Sequence, residues 1–335
     1  MRKKIKFDII DFFGEDARRM FAERMIEALK PLGEAELSDD PDFVLCSCFG
    51  SSVYHYDCTR ILLLGENLRP DFNVYDYAIS FDWMEYEDRF LHLPWYCLPG
   101  QERVRAEALR KHTYPDEYYR AKKNFCNYVV SNYGANPIRE EMFHRLSEYQ
   151  WVASGGRSNN NLPDGKPVAD KLEFQRGYRF SLAFENAQTT GYCTEKILDA
   201  FASGGVPVYW GDPAVTRIYN PEAFINCNDC RTVQEMVEKV RAVEEDEARW
   251  WYMVHQPAFV DPELVQRQID EDILWAFIRG IVAQGPEASR RRSPDFWSGK
   301  YEENARQVAR FQKQFWWKYY AKGERFLVRK GIWKK

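Results

Sequence analysis

Residues 179–211 read RFSLAFENAQTTGYCTEKILDAFASGGVPVYWG. An apolar run, RFSLAF, passes into a polar connection, ENAQTTGYCTEK, and a helix-like stretch, ILDAFAS, follows. Gly204–Gly205 and a second apolar run, VPVYWG, close the segment. Short continuous apolar runs bounded by turn residues read as buried strands. Thr194 is placed to cap the helix, and the paired glycines suit its C-terminal stop. The segment is therefore a βαβ unit, the building block of a parallel sheet.

The polar connection carries the chemistry. In an open α/β sheet, ligands bind beyond the carboxyl ends of the strands. Glu185 and Asn186 fall at such an end, while Thr194, Glu195 and Lys196 open the next helix. Free N–H groups and a partial positive charge at a helix start favour an anion. A lysine in that first turn opposes the helix dipole, which makes sense if a phosphate sits between them. Tyr192 is placed to stack or hydrogen-bond beside a ligand, and Glu195 to accept from a sugar or ribose diol. For each residue alone, a solvated loop before a capped helix is the simpler reading. The combination favours a nucleotide-phosphate site. The sequence has neither GxGxxG nor a Walker lysine pattern, so the usual dinucleotide and ATP fingerprints are not involved.

Working outward, four strands are predicted in the first third: KIKFDIIDFF (4–13), DFVLCSCFG (42–50), RILLLGEN (60–67) and YDYAISFD (75–82), with a helix over 17–29. Residues 98–123 are polar and charged and read as a helical connection. A second set opens with NFCNYVVSN (124–132) and a helix over 138–147, and the Gly/Asn/Pro-rich stretch 153–167 reads as loop. The pattern predicts α/β architecture with two Rossmann-like domains facing a cleft. The expected division is 1–123, 124–284 and a C-terminal helical tail over 285–335.

Bulk properties narrow the classes. The 335-residue chain has 45% hydrophobic and 29% charged residues, which suits globular domains with a real core. Its net charge of −4 is uneven: residues 305–335 hold ten Lys/Arg against one acid. That basic tail places Val308, Phe311, Phe315 and Tyr319 at helical spacing, with Trp316, Trp317 and Trp333 beside them, which fits an amphipathic helix on an anionic membrane or a helix packed back on the domains; 305–320 is expected to pack and the end to face a membrane. No nucleic-acid reader motif accompanies it. The eight cysteines read as reduced thiols; Cys227 and Cys230 make a lone CxxC, which falls short of a four-ligand zinc site. MRKK is basic, but Asp8 and Asp11 interrupt a signal-peptide core, and no apolar run approaches a span. A cytoplasmic location is expected, peripheral on the inner face of a membrane.

FENAQTTGYCTEKILDAFASGGVPVYWGDP (184–213) resembles the signature of the α1,3-fucosyltransferases, especially the bacterial ones. NPIRE (136–140) resembles that family's N-x-x-x-R helix start, and GENLRPDFNVYDYAISFD (65–82) its acceptor-side segment. Cys193 stands where valine is usual, and Ala187 where a small polar residue is common. The resemblance implies a GT-B architecture, acceptor half first, and inverting transfer of L-fucose from GDP-β-L-fucose to GlcNAc of an N-acetyllactosamine-type glycan. It implies that Glu66 is the general base. Arg139 and Lys196 would hold the diphosphate. Glu195 would bind ribose or fucose hydroxyls, and Asn186 and Tyr192 would line the donor pocket. Glu185, Thr194 and Arg157 are further candidates; Asp71 and Asp82 are less favoured bases. No DxD motif stands out, so no metal or other cofactor is expected. α1,4 or dual linkage, another GDP-sugar, and a non-catalytic nucleotide-sugar binding protein stay open. A base together with two phosphate-side cations argues against pure binding.

Overall fold

The two halves of the chain each form an all-parallel sheet, and their near-continuous apolar strands are the reason. A parallel sheet is covered on both faces, so its strands need no polar alternation. The computed structural model describes residues 4–132, 134–314, 319, 320, 322 and 323. In the first half run β1 (Lys4–Ile10), α1 (Glu15–Leu29), β2 (Glu34–Leu37), β3 (Phe43–Cys46), β4 (Thr59–Leu63), β5 (Tyr77–Ser80) and β6 (Phe90–His92). Their sheet order is β2-β1-β3-β4-β5-β6. Two helices, α2 (Glu102–Arg110) and α3 (Asp116–Arg120), lead to the second half.

That half contains β7 (Asn124–Tyr128), α4 (Ile138–Tyr149), β8 (Val152–Ser154), α5 (Lys171–Arg176), β9 (Tyr178–Phe184), α6 (Glu195–Ala202), β10 (Val206–Trp210) and β11 (Ile225–Asn226). The order is β11-β10-β9-β7-β8, and β9 and β10 pair from Phe180↔Val206 to Phe184↔Trp210. The helices α7 (Val233–Glu244), α8 (Glu247–His255), α9 (Pro262–Asp270), α10 (Ile273–Gln284) and α11 (Phe296–Gln312) complete the fold. The predicted βαβ unit is present, with α6 ending at Ser203 and Gly204 at φ +72° beyond it. A side chain at 204 would also strike the ring of Tyr118, 2.6 Å from the added Cβ.

Packing redraws the expected division at two places. Tyr96, Ala108 and Tyr119 are buried with the second half, the first two against Ile197 and Phe201 of α6. Conversely, Leu274, Trp275, Ile278 and Ile281 of α10 are buried with Ile5, Phe7 and Met25 of the first half. The chain thus crosses between the halves twice, because α10 presents an apolar face that packs on α1 and the first sheet. The 153–167 stretch is also not wholly loop, since Val152–Ser154 pairs with β7.

The tail begins as a strap on the first sheet. Arg292 pairs with Asp76 at 3.0 Å, Arg60 with Glu302 at 2.8 Å, and Tyr301 donates to Asp71 at 2.7 Å. Helix α11 buries Ala309 but leaves Val308 and Phe311 exposed, so packing over 305–312 is slighter than the apolar spacing suggested. Phe315, Trp316, Trp317, Trp333 and the expected membrane-facing end lie outside the described residues. Among the described residues, no helix is long and apolar enough to cross a membrane.

Candidate active site

Glu185 is the first residue past β9, and the sheet continues through its N–H, which donates to the Trp210 carbonyl at 2.8 Å. Its side chain is fully buried. Gly211 makes room for it: a Cβ there would lie 2.4 Å from Glu185 Cγ. The buried carboxylate collects four short contacts. The Thr194 N–H donates to it at 2.7 Å, the Thr194 hydroxyl lies 2.8 and 3.0 Å from its two oxygens, and Lys196 Nζ donates at 2.9 Å. Thr194 does occupy the cap position of α6, but its hydroxyl serves Glu185 instead of the helix amides. The sequence expectation of a capped helix is corrected accordingly.

Lys196 is held from three sides: by Glu185, by the Thr194 hydroxyl at 2.8 Å and by Glu195 at 3.4 Å. Burial alone would lower its pKa, but Glu185 and then Glu195 raise it, so the ammonium stays charged. Burial pushes the Glu185 carboxyl up and Lys196 opposes that. Burial would likewise raise Glu195, yet Lys196 and then Lys171 bring it down to about 2. A depressed carboxylate stabilises the fold above its unfolded value of 4.5 and loses that contribution as pH falls through about 2. Glu195→Gln is therefore expected to flatten the loss of stability between pH 4.5 and 2, modestly, because a 35% exposed side chain is screened by solvent. Urea titrations at pH 7 and pH 3 measure this; parallel losses in both proteins would contradict it.

These groups face a cleft of about 480 Å³ between the two sheets, within the roughly 300–1,000 Å³ of small-molecule sites. Asn186, Tyr192, Thr194, Glu195 and Lys196 form one wall. Gly65, Glu66 and Trp95 face them from the first half. Two contacts beside the cleft join the halves. Asn67 donates to the Thr189 hydroxyl at 2.9 Å, and the Tyr192 ring meets Phe81 edge-on at 5.1 Å. Gly191, at φ +86°, presses so closely that a Cβ would lie 2.6 Å from the Phe81 carbonyl.

Arg139 sits differently from its expected place. It is 1% exposed and lies behind the wall, not on it. Its guanidinium donates to the Asn186 side-chain oxygen at 2.7 Å and to the Asn132 carbonyl. It thereby sets Asn186, whose amide reaches the Tyr192 hydroxyl at 3.4 Å. Arg157 is exposed and is not among the lining residues. Asp82 is tied to Arg69 at 2.7 Å and to the Ser80 hydroxyl, and Asp71 accepts from Tyr301, so neither faces the cleft. His92 stacks on Trp83 at 4.1 Å, and burial lowers it to about 4, a neutral structural ring.

Sequence reading missed a second ion pair on the same wall. Lys171, opening α5, pairs with Asp199 of α6 at 2.7 Å, and both line the cleft. Its signal was available: like Lys196, it is a lysine in a helix's first turn. Gly155 and Gly156 also line it. At Gly156 a Cβ would fall 1.9 Å from the Val130 carbonyl. Gly156→Ala must push the loop off the segment that follows β7 and is expected to destabilise the fold by about 1–3 kcal/mol. Thermal melting checks this; an unchanged Tm would show that the loop gives way freely. Among the described residues, no group of three or more His, Cys, Asp and Glu is placed to hold a metal ion.

Comparison with known proteins gives concordant likenesses. The family model for the C-terminal part of glycosyltransferase family 10 (fucosyltransferase) matches residues 119–256. That for the FucT N-terminal domain of α-(1,3)-fucosyltransferase matches 6–99. The α-(1,3)-fucosyltransferase FucT of Helicobacter pylori is 33% identical over 233 residues, 60% of this chain and 48% of that protein. The chain thus spans about half the length of that relative. A crystal structure of an α1,3-fucosyltransferase superposes with a TM-score of 0.70 and 25% identity, covering 88% of this chain and 93% of the other. One described with GDP-fucose gives 0.65 and 26%, covering 83% and 90%.

Proposed function

Because the chain belongs to glycosyltransferase family 10, the fucosyltransferases, we propose that it transfers L-fucose from GDP-β-L-fucose to O3 of GlcNAc, with inversion. The acceptor is an N-acetyllactosamine-type unit of a surface glycan such as a lipopolysaccharide O-chain. The observation that carries this reading is that Glu66, from the first half, and Lys196, from the second, line one cleft. Inverting displacement needs a base on the acceptor side and positive charge on the leaving-group side, and that cleft supplies both.

The acceptor hydroxyl, approaching from the first half, gives its proton to Glu66 as its oxygen bonds to the anomeric carbon. The bond from that carbon to the β-phosphate oxygen breaks through an oxocarbenium-like state. Negative charge grows on GDP as it leaves, and the buried ammonium of Lys196 stabilises it where water is scarce. Glu195 is the loosest of the lysine's three partners, at 3.4 Å and partly exposed. It is the one to yield its place to phosphate and turn to a sugar hydroxyl. Arg139 acts through Asn186 as a positioning residue. Lys171, held by Asp199, adds a second cation on the Lys196 side of the cleft.

Incubation with GDP-fucose, GDP-mannose or UDP-galactose plus N-acetyllactosamine tests the reading. The expected result is GDP release and an α1,3-fucosylated trisaccharide with GDP-fucose alone. Transfer from another donor, or binding without transfer, would replace it. A peripheral place on an anionic membrane through residues 305–335 belongs to the same proposal. Equal liposome flotation of the full chain and a 1–320 truncation would remove it.

A further inference from the structure

The CxxC pair has no part in the transfer step, yet the structure ties it to the donor wall. After β11 the chain turns through Cys227, Asn228, Asp229 and Cys230, with the Cys230 N–H donating to the Cys227 carbonyl at 3.2 Å. That turn brings Cys230 back beside Cys227. Cys227 is fully buried in the core of the second sheet, whereas Cys230 is partly exposed. Lys239 of α7 donates to the Asn226 carbonyl at 2.9 Å and to Asp229 at 2.6 Å, which sets a positive charge beside the turn. The first of the two residues between the cysteines, Asn228, is the link. Asn228 Oδ1 accepts from the Gly211 N–H at 2.9 Å and from Gln188 of the site loop at 3.3 Å, while its amide donates to the Asp212 carbonyl at 2.9 Å. Asp212 in turn accepts from the Gly191 N–H at 2.7 Å. One side chain inside the CxxC turn braces the connection between Asn186 and Tyr192.

We propose that Cys227 and Cys230 are a modification site for small-molecule disulfides, and that their oxidation loosens the donor loop by displacing Asn228. The Cys230 thiolate attacks one sulfur of the disulfide, releasing one thiol and leaving a mixed disulfide on Cys230. Cys227 then loses its proton to solvent and attacks the Cys230 sulfur, releasing the second thiol. The two protein thiols are oxidised to one disulfide, and the reagent is reduced to two thiols. The hydrogen bond from Cys227, and then the charge of Lys239, draw the Cys230 thiol down to about 7, so thiolate is present at neutral pH. A disulfide brings its sulfurs to about 2.0 Å. Hydrogen bonds of the Asn228 kind fail when displaced by several tenths of an ångström.

Only the effect on donor binding rests on the proposed transfer function; the thiol chemistry and the loop release do not. The full chain is equilibrated with oxidised or reduced glutathione and read by disulfide mapping, amide hydrogen exchange over 186–192 and GDP-fucose calorimetry. The expected result is a 227–230 disulfide, exchange over 186–192 faster by about tenfold, and a Kd raised several-fold, all reversed by dithiothreitol. Cys230→Ser is expected to keep the reduced protein's Kd and to ignore the oxidant. Absence of that disulfide, unchanged exchange when it forms, or equal sensitivity in Cys230→Ser would overturn the proposal. If the reduced protein binds no GDP-fucose, the function reading falls while the exchange readout still decides this one.

Discussion

Replacing Lys196 with alanine is expected to cost about 3–5 kcal/mol of stability and to lower transfer by about 100- to 1,000-fold. The stability loss comes from Glu185. That carboxylate is fully buried, and Lys196 is its only cationic partner within 4 Å among the described residues. Removing the ammonium leaves a buried charge to be met by the Thr194 groups alone. The activity loss has a different origin, the missing charge at the departing phosphate. A second variant separates the two: Lys196→Met with Glu185→Gln removes both charges and keeps hydrogen-bonding capacity beside Thr194. It is expected to recover most of the stability and none of the turnover. Tm and kcat measured on both variants decide. A Lys196→Ala protein that melts like the wild type would mean Glu185 is not held ionised by this pair.

Glu66→Gln is expected to lower kcat by about 100- to 10,000-fold, the usual range for losing a positioned base, while GDP-fucose affinity stays within about twofold. The side chain sits on the first half's wall, on the loop after β4, opposite the donor-side cluster. Glutamine keeps the shape and cannot take the proton. Among the described residues, no side-chain ion pair or hydrogen bond makes Glu66 a structural anchor, unlike Asp71 and Asp82. The variant should therefore fold normally. Near-normal kcat would take Glu66 out of the base role, and a large rise in donor Kd would place it in binding instead.

The residues of the cleft differ in how far they could be read in advance. FEN at a strand end and TEK at a helix start were legible, because strand and helix periodicity locate both junctions within one segment. The buried network of Glu185, Thr194 and Lys196 was half legible: the residues stood out, but not that Thr194 abandons its cap for a carboxylate nine residues back. Arg139 was legible as an odd charge near a helix start, yet its burial behind Asn186 was not. That depends on where the 131–136 segment passes, which no local pattern records. Lys171 and Asp199 lie 28 residues apart and meet only because α5 and α6 pack side by side.

The strands divide along the same line. β1, β3, β4, β5, β7, β9 and β10 are interior strands, buried on both faces, and their apolar runs announced them. The four that went unread, β2, β6, β8 and β11, are the four sheet edges. An edge strand is two to four residues long here and needs no apolar run of its own, because its neighbour supplies the hydrogen bonds. Local chemistry thus sufficed for the interior of each sheet and for the two ends of the donor motif. The tertiary structure alone decided which half each connecting helix joins, which acid faces the cleft, and which arginine stands behind its wall. Burial and pairing at those positions come from chain segments far apart in sequence, so no window of residues carries them.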